Sequence, residues 1–181
     1  MVANSGGPRH HLDTPPPLAA LAARQHGVVA TRQLLTLGYS PTVIARLVRD
    51  GHLIRLHRGV YAVGHIRLSA RGRWMAAALA CGDDAVLSHR AASALWDLSQ
   101  TPAGAIDVTA PGHSRRRIPG VRFHGARTLH PDDRTIIDGI RVTALPRTML
   151  DQATAVNPQR LRTLLEQAQR RDLVNPSPVP T

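Results

Sequence analysis

Along residues 18–27, "LAALAARQHG", apolar side chains recur at three- and four-residue intervals and the run stops at Gly27, the mark of a short amphipathic helix. Val28 and Val29 follow as a short strand or a buried link. Thr31 then serves as the expected N-cap of a second helix, "RQLLTLG", which ends at Gly38. Ser40 caps a third, "PTVIARLVRDG", with Pro41 at the first helical position, where its missing N–H has no partner to lose. From Leu53 the period changes to two: Ile54 and Leu56 alternate with Arg55 and His57. Arg58-Gly59 supplies a tight turn, and "VYAV" returns as the second strand. Three helices followed by a hairpin is the order of a winged helix-turn-helix, spanning residues 18–64.

Beyond Gly64 the pattern differs. "ARGRWMAAALACG" reads as a helix, and Ser88 caps another, "HRAASALWDL". Strand-like pieces follow: "AIDVTAP", "GVRFHG" and "RTIIDGIRVTAL", the last divided by Asp138-Gly139, a strong hairpin signal. Two helices close the pattern, one over 146–155 and one from Pro158, "PQRLRTLLEQAQRRDL". The expected fold is therefore α+β, an N-terminal winged helix-turn-helix (18–64) followed by a small α+β domain (67–173). The polar, proline-rich segments 1–17 and 174–181 read as disordered by composition. With aromatic residues at 3%, the core must rest on Leu, Ile, Val and Ala, anchored by Trp74 and Trp96 on apolar helix faces.

Composition narrows the partners. The formal net charge is +11, and all 23 basic residues are arginine. An excess of that size in a short chain points to an anionic partner, most often nucleic acid. Arginine's planar fork also suits paired contacts to phosphate and to guanine edges. No stretch approaches the roughly 20 apolar residues a membrane helix needs, and the N-terminal segment lacks the apolar centre of a signal peptide. A cytoplasmic protein without a membrane partner is the expectation. Cys81, the single cysteine, excludes an internal disulfide and a multi-cysteine zinc site, and reads as a small buried filler.

The third helix carries the clearest chemistry. At 100° per residue, Ile44, Leu47 and Val48 share an arc of about 100° and face the core. Thr42, Arg46 and Arg49 lie within roughly 60° of one another on the opposite side. The arginines can fork to guanine acceptors, while the hydroxyls of Ser40 and Thr42 reach phosphates near the helix start. Arg55, His57 and Arg58 place charge on the wing, beside a minor groove or the backbone. Thr31 and Arg32, opening the second helix, complete the expected DNA-contacting set. Segment 18–64 holds six arginines against Asp50 alone, a net +5. The run Arg115-Arg116-Arg117, between two strands, is a candidate second nucleic-acid contact.

Catalytic readings find little support. A nuclease centre of the kind that gathers carboxylates and a lysine around a metal ion has no lysine to use here. Glu166, the one glutamate, sits on an amphipathic helix. Asp83-Asp84 and Asp132-Asp133 are neighbours whose side chains diverge, as turn residues do. Ten histidines include His10-His11 in the N-terminal segment and His89 beside a helix start, none at metal-ligand spacing. No enzyme activity, cofactor or metal is expected.

The stretch "LAARQHGVVATRQLLTLGYSPTVIARLVRDGHLIRLHRGVYAV" resembles the N-terminal winged helix of AbiEi-type antitoxins of type IV toxin–antitoxin systems. The match is carried by the Gly-x-Ser cap and by Gly51, Leu53, Arg55, Arg58, Gly59, Val60 and Tyr61. "LSHRAASALWDL", "IDVTAP" and "GIRVTALPRTMLDQA" resemble the middle region of actinobacterial proteins that join this winged helix to a nuclease-like domain related to very-short-patch repair endonucleases. That last domain is absent from the sequence. The resemblance implies an antitoxin that represses its own operon by binding double-stranded DNA at inverted repeats. It also implies opposition to a nucleotidyltransferase-like toxin without a stable complex. The alternatives are a winged-helix protein-interaction module or an orphan regulator left from a nuclease fusion. No heptad pattern signals a dimer face.

Overall fold

The computed structural model describes residues 16–112 and 117–173. The expectations for segments 1–15 and 174–181, for His10 and His11, and for Arg115 and Arg116 lie outside the described residues.

Helix α1 (Pro16–Arg24) leads through a turn into strand β1 (Val28–Ala30), then helices α2 (Thr31–Thr36) and α3 (Pro41–Arg49). Strands β2 (Leu53–His57) and β3 (Val60–Val63) form the hairpin, turned at Arg58-Gly59 with Gly59 at φ +74°. The strands pair antiparallel in the order β1-β3-β2, which completes a winged helix-turn-helix. Thr31 is the first residue of α2 rather than its cap. The Ala30 N–H is instead satisfied by the Gln33 side chain at 2.9 Å, and Gln33 exchanges hydrogen bonds with Gln25. On α3 the expected cap is present: Ser40 Oγ accepts from the Val43 N–H at 3.3 Å.

The second part runs α4 (Ala70–Cys81), β4 (Val86–Leu87), α5 (His89–Leu95), β5 (Ile106–Pro111), β6 (Val121–Ala126), a 3-10 turn, β7 (Arg134–Ile137), β8 (Ile140–Thr143), α6 (Leu145–Ala155) and α7 (Pro158–Arg170). Its sheet has the order β6-β5-β4-β8-β7. β5 runs parallel to β6 and β4 to β8; the remaining pairs are antiparallel. Asp138 and Gly139 both adopt positive φ, the backbone of a type I′ hairpin turn, as the Asp-Gly pair predicts. The two-residue strand β4 carries no alternation to read, and only its neighbours make it a strand. Ser88 opens α5, yet its hydroxyl meets His89 Nδ1 at 3.0 Å instead of capping the helix.

The winged-helix sheet is buried on both faces. Val29, Leu53 and Tyr61 point into a core with Leu18, Leu34, Ile44 and Leu47. Val28, Ala30 and Val60 point the other way, into the core of the second part with Trp74, Met75 and Leu87. Strands covered on both sides read as unbroken apolar runs, which is why "VYAV" lacks polar positions. Helix α4 supplies the cover. It approaches closely because Gly72 has no side chain: a Cβ there would lie 2.8 Å from the His26 carbonyl. The β7–β8 turn closes on the same place, with His26 Nε2 donating to the Asp138 carbonyl at 2.7 Å and Arg71 paired to the Asp138 carboxylate, also at 2.7 Å.

Candidate nucleic-acid interface

Helix α3 packs Ile44 and Leu47 inward and leaves Thr42, Ala45, Arg46 and Arg49 exposed. Val48 is half-buried at the edge of the core. Among the described residues, the side chains of Thr42 and Arg46 make no hydrogen bond or ion pair. Arg49 meets only its neighbour Asp50, at 3.2 Å on an exposed surface, a pairing of little strength. Ser40 spends one lone pair on its own helix and keeps its hydroxyl proton to donate. The helix therefore offers a stripe of donors on a framed, rigid element.

On the hairpin, Arg55 is exposed on β2 and Arg58 at the turn, both without an ion-pair partner among the described residues. A β-bulge between Arg55 and His57 shifts the register there. The wing does not stand free. Its tip and Arg117, Ile118 and Pro119, from the end of the β5–β6 connection, line one cavity of about 350 Å³. The structure thus brings Arg117 beside Arg55 and Arg58, joining the wing to the basic run read from the sequence.

A free, donor-bearing helix followed by a basic hairpin is confined to the first third of the chain. Residues 17–64 match the model of a family described as transcriptional regulator, AbiEi antitoxin. The match covers about a quarter of the chain and includes the whole of helix α3 and the hairpin. No protein of curated function matches the sequence.

Within the matched segment, three residues depart from the expected set. Arg32 points toward α4, its Nε on the Asp83 carboxylate and its Nη1 donating to the Leu79 carbonyl at 3.1 Å. Its guanidinium is engaged inside the chain because α4 ends where α2 begins. Thr31 is half-buried and braces the wing: its N–H donates to the Gly59 carbonyl at 2.8 Å. His57 is half-buried, and burial pushes its pKa below the ordinary imidazole value, so it is mainly neutral near pH 7. The arginines carry the charge of the wing.

A second cluster escaped the sequence reading. Asp107, on β5, is 1% exposed and holds Arg90 Nε at 3.0 Å, His124 Nε2 at 2.9 Å and Arg122 Nη1 at 3.5 Å. Burial alone would raise its pKa, but the hydrogen bond from His124 and the charge and hydrogen bond of Arg90 outweigh it and hold the carboxyl below its ordinary value. His89 stacks on His124 with ring centroids 3.8 Å apart. Burial, then the charge of His124, pushes His89 below the ordinary imidazole pKa, against the pull of Asp151. Arg147 bridges Asp151 and Asp133 at 2.9 and 3.0 Å. The acidic pairs thus include structural anchors: Asp83 for Arg32, Asp133 for Arg147. Register could have hinted at part of this, since Asp107 and Arg122 face each other on neighbouring strands. Among the described residues, no group of three or more His, Cys, Asp or Glu side chains could hold a metal ion. Cys81 is half-buried, its thiol pushed up to about 11 by burial. Among the described residues no helix is long and apolar enough to cross a membrane.

Proposed function

We propose that this chain is a sequence-specific repressor of its own operon and the antitoxin of a type IV toxin–antitoxin system. The observation that carries the reading is helix α3: Thr42, Arg46 and Arg49 lie exposed opposite buried Ile44 and Leu47, inside a segment that matches a family of transcriptional regulators. Arg46 and Arg49 read guanine edges in the major groove, with Ser40 and Thr42 on phosphates at the helix start. Arg55 and Arg58 hold the wing on the backbone, and Arg117 extends that contact. The operator is an inverted repeat. The toxin is nucleotidyltransferase-like and is opposed without a stable complex. The chain works in the cytoplasm and is not itself an enzyme.

The test is an anisotropy titration against the DNA upstream of its own gene, with random duplex as competitor and salt varied. Binding that survives competitor and weakens steeply with salt, as counterion release requires, supports the repressor. Equal binding to random duplex removes it. Co-expression with the neighbouring gene then tests the antitoxin role: toxicity unchanged by this chain would refute it.

A further inference from the structure

Between α5, the 98–102 loop, α6 and α7 lies a cleft of about 520 Å³, within the range of small-ligand sites. Its lining carries two guanidinium groups, Arg90 and Arg160, and no carboxylate, so the site selects an anion. Arg90 is fixed from behind: Nε is held by buried Asp107 at 3.0 Å and Nη2 reaches the Ala105 carbonyl at 3.4 Å, leaving Nη1 uncommitted among the described residues. Arg160, in the first turn of α7, is exposed and has no side-chain partner among the described residues.

A second observation points to a ligand with hydrogen-bonding edges. Gln152 also lines the cleft, yet it is 2% exposed. Its Nε2 donates to Ser93 Oγ at 2.7 Å, while its Oε1 is buried without a partner among the described residues. Turning the amide over lets the Ser93 hydroxyl donate to Oε1 but orphans the NH₂ instead. Either way one buried polar end awaits a partner, a costly state in a folded protein. Half-buried Pro102 and Val156 add apolar lining, which a flat ring can cover and a sugar phosphate alone would leave wet.

We propose that this cleft binds a nucleoside monophosphate, its phosphate on Arg90 and Arg160 and its base edge on the Gln152 amide. The site lies outside the matched segment.

The experiment is calorimetric titration of the full chain with AMP, GMP, CMP and UMP in turn, with inorganic phosphate as the control anion. One nucleotide is expected to bind with Kd below about 1 mM and at least about tenfold tighter than phosphate. Arg160→Glu should weaken that binding at least about tenfold with an unchanged melting temperature, since its side chain supports no other contact. Gln152→Glu, which keeps the shape but alters the donor pattern, should change which base is preferred. Failure of all four nucleotides at about 5 mM overturns the proposal. So does equal affinity for inorganic phosphate, or undiminished binding by Arg160→Glu.

Discussion

The arginines of the winged segment differ in their partners: Arg32 is half-buried and paired, whereas Arg46 and Arg58 are exposed. Arg46 has no side-chain partner among the described residues, so Arg46→Ala should cost about 1–3 kcal/mol of operator binding and relax base preference at one position. Arg58, on the wing turn, should weaken operator and random duplex alike when changed to Ala; a base-dependent loss would show it reads sequence. Arg32→Ala should leave operator affinity nearly unchanged and lower the melting temperature, because its guanidinium holds Asp83 and the Leu79 carbonyl. At this scale pH also acts. Burial holds His57 and His89 below the ordinary 6.5, so as pH falls the unfolded chain binds protons before the folded one. Their contribution is complete above that value and is lost as pH falls from it toward the folded pKa values. Melting curves from about pH 7.5 to about pH 5.5 should show falling stability, flattened in His89→Gln. A curve that rises with acid would exclude this assignment.

At the scale of elements, local signals carried far. Ser40-Pro41 fixed the start of α3, Asp138-Gly139 fixed a hairpin, and helical spacing marked α1 and α3. The outward face of α3 could be read from angle alone, because an amphipathic helix has one dry side. What could not be read depended on neighbours distant in the chain. β4 is a strand because β5 and β8 flank it, and Asp83 anchors Arg32 across 51 positions. Asp107, His124 and His89 come from three separate elements, so no local spacing announces them. Gly72 is the sharpest case: inside a helix a glycine weakens the local signal, and only the approach of α4 to His26 explains it. Gly72→Ala removes the helix penalty but drives a methyl against a backbone carbonyl. Denaturant melts should show a net destabilisation of about 1–3 kcal/mol; a stabilised variant would mean that α4 can shift freely.

For the whole molecule, the decisive fact is that the three-stranded sheet belongs to two cores. A fragment covering residues 16–64 would keep the inner core of Leu18, Leu34 and Tyr61 but expose Val28, Ala30 and Val60. Such a fragment should give weak helical circular dichroism and aggregate, whereas extension to residue 173 restores a cooperative melt. A well-folded, monomeric fragment would show the outer face to be dispensable. This shared sheet also sets what evolution or an engineer can move. Grafting the winged helix onto another protein by cutting at the end of the hairpin would transplant a sheet face with no lid. The smallest exchangeable cassette runs on through α4, and a recombinant made at residue 64 would have to find a replacement for Trp74 and Met75 in its new host.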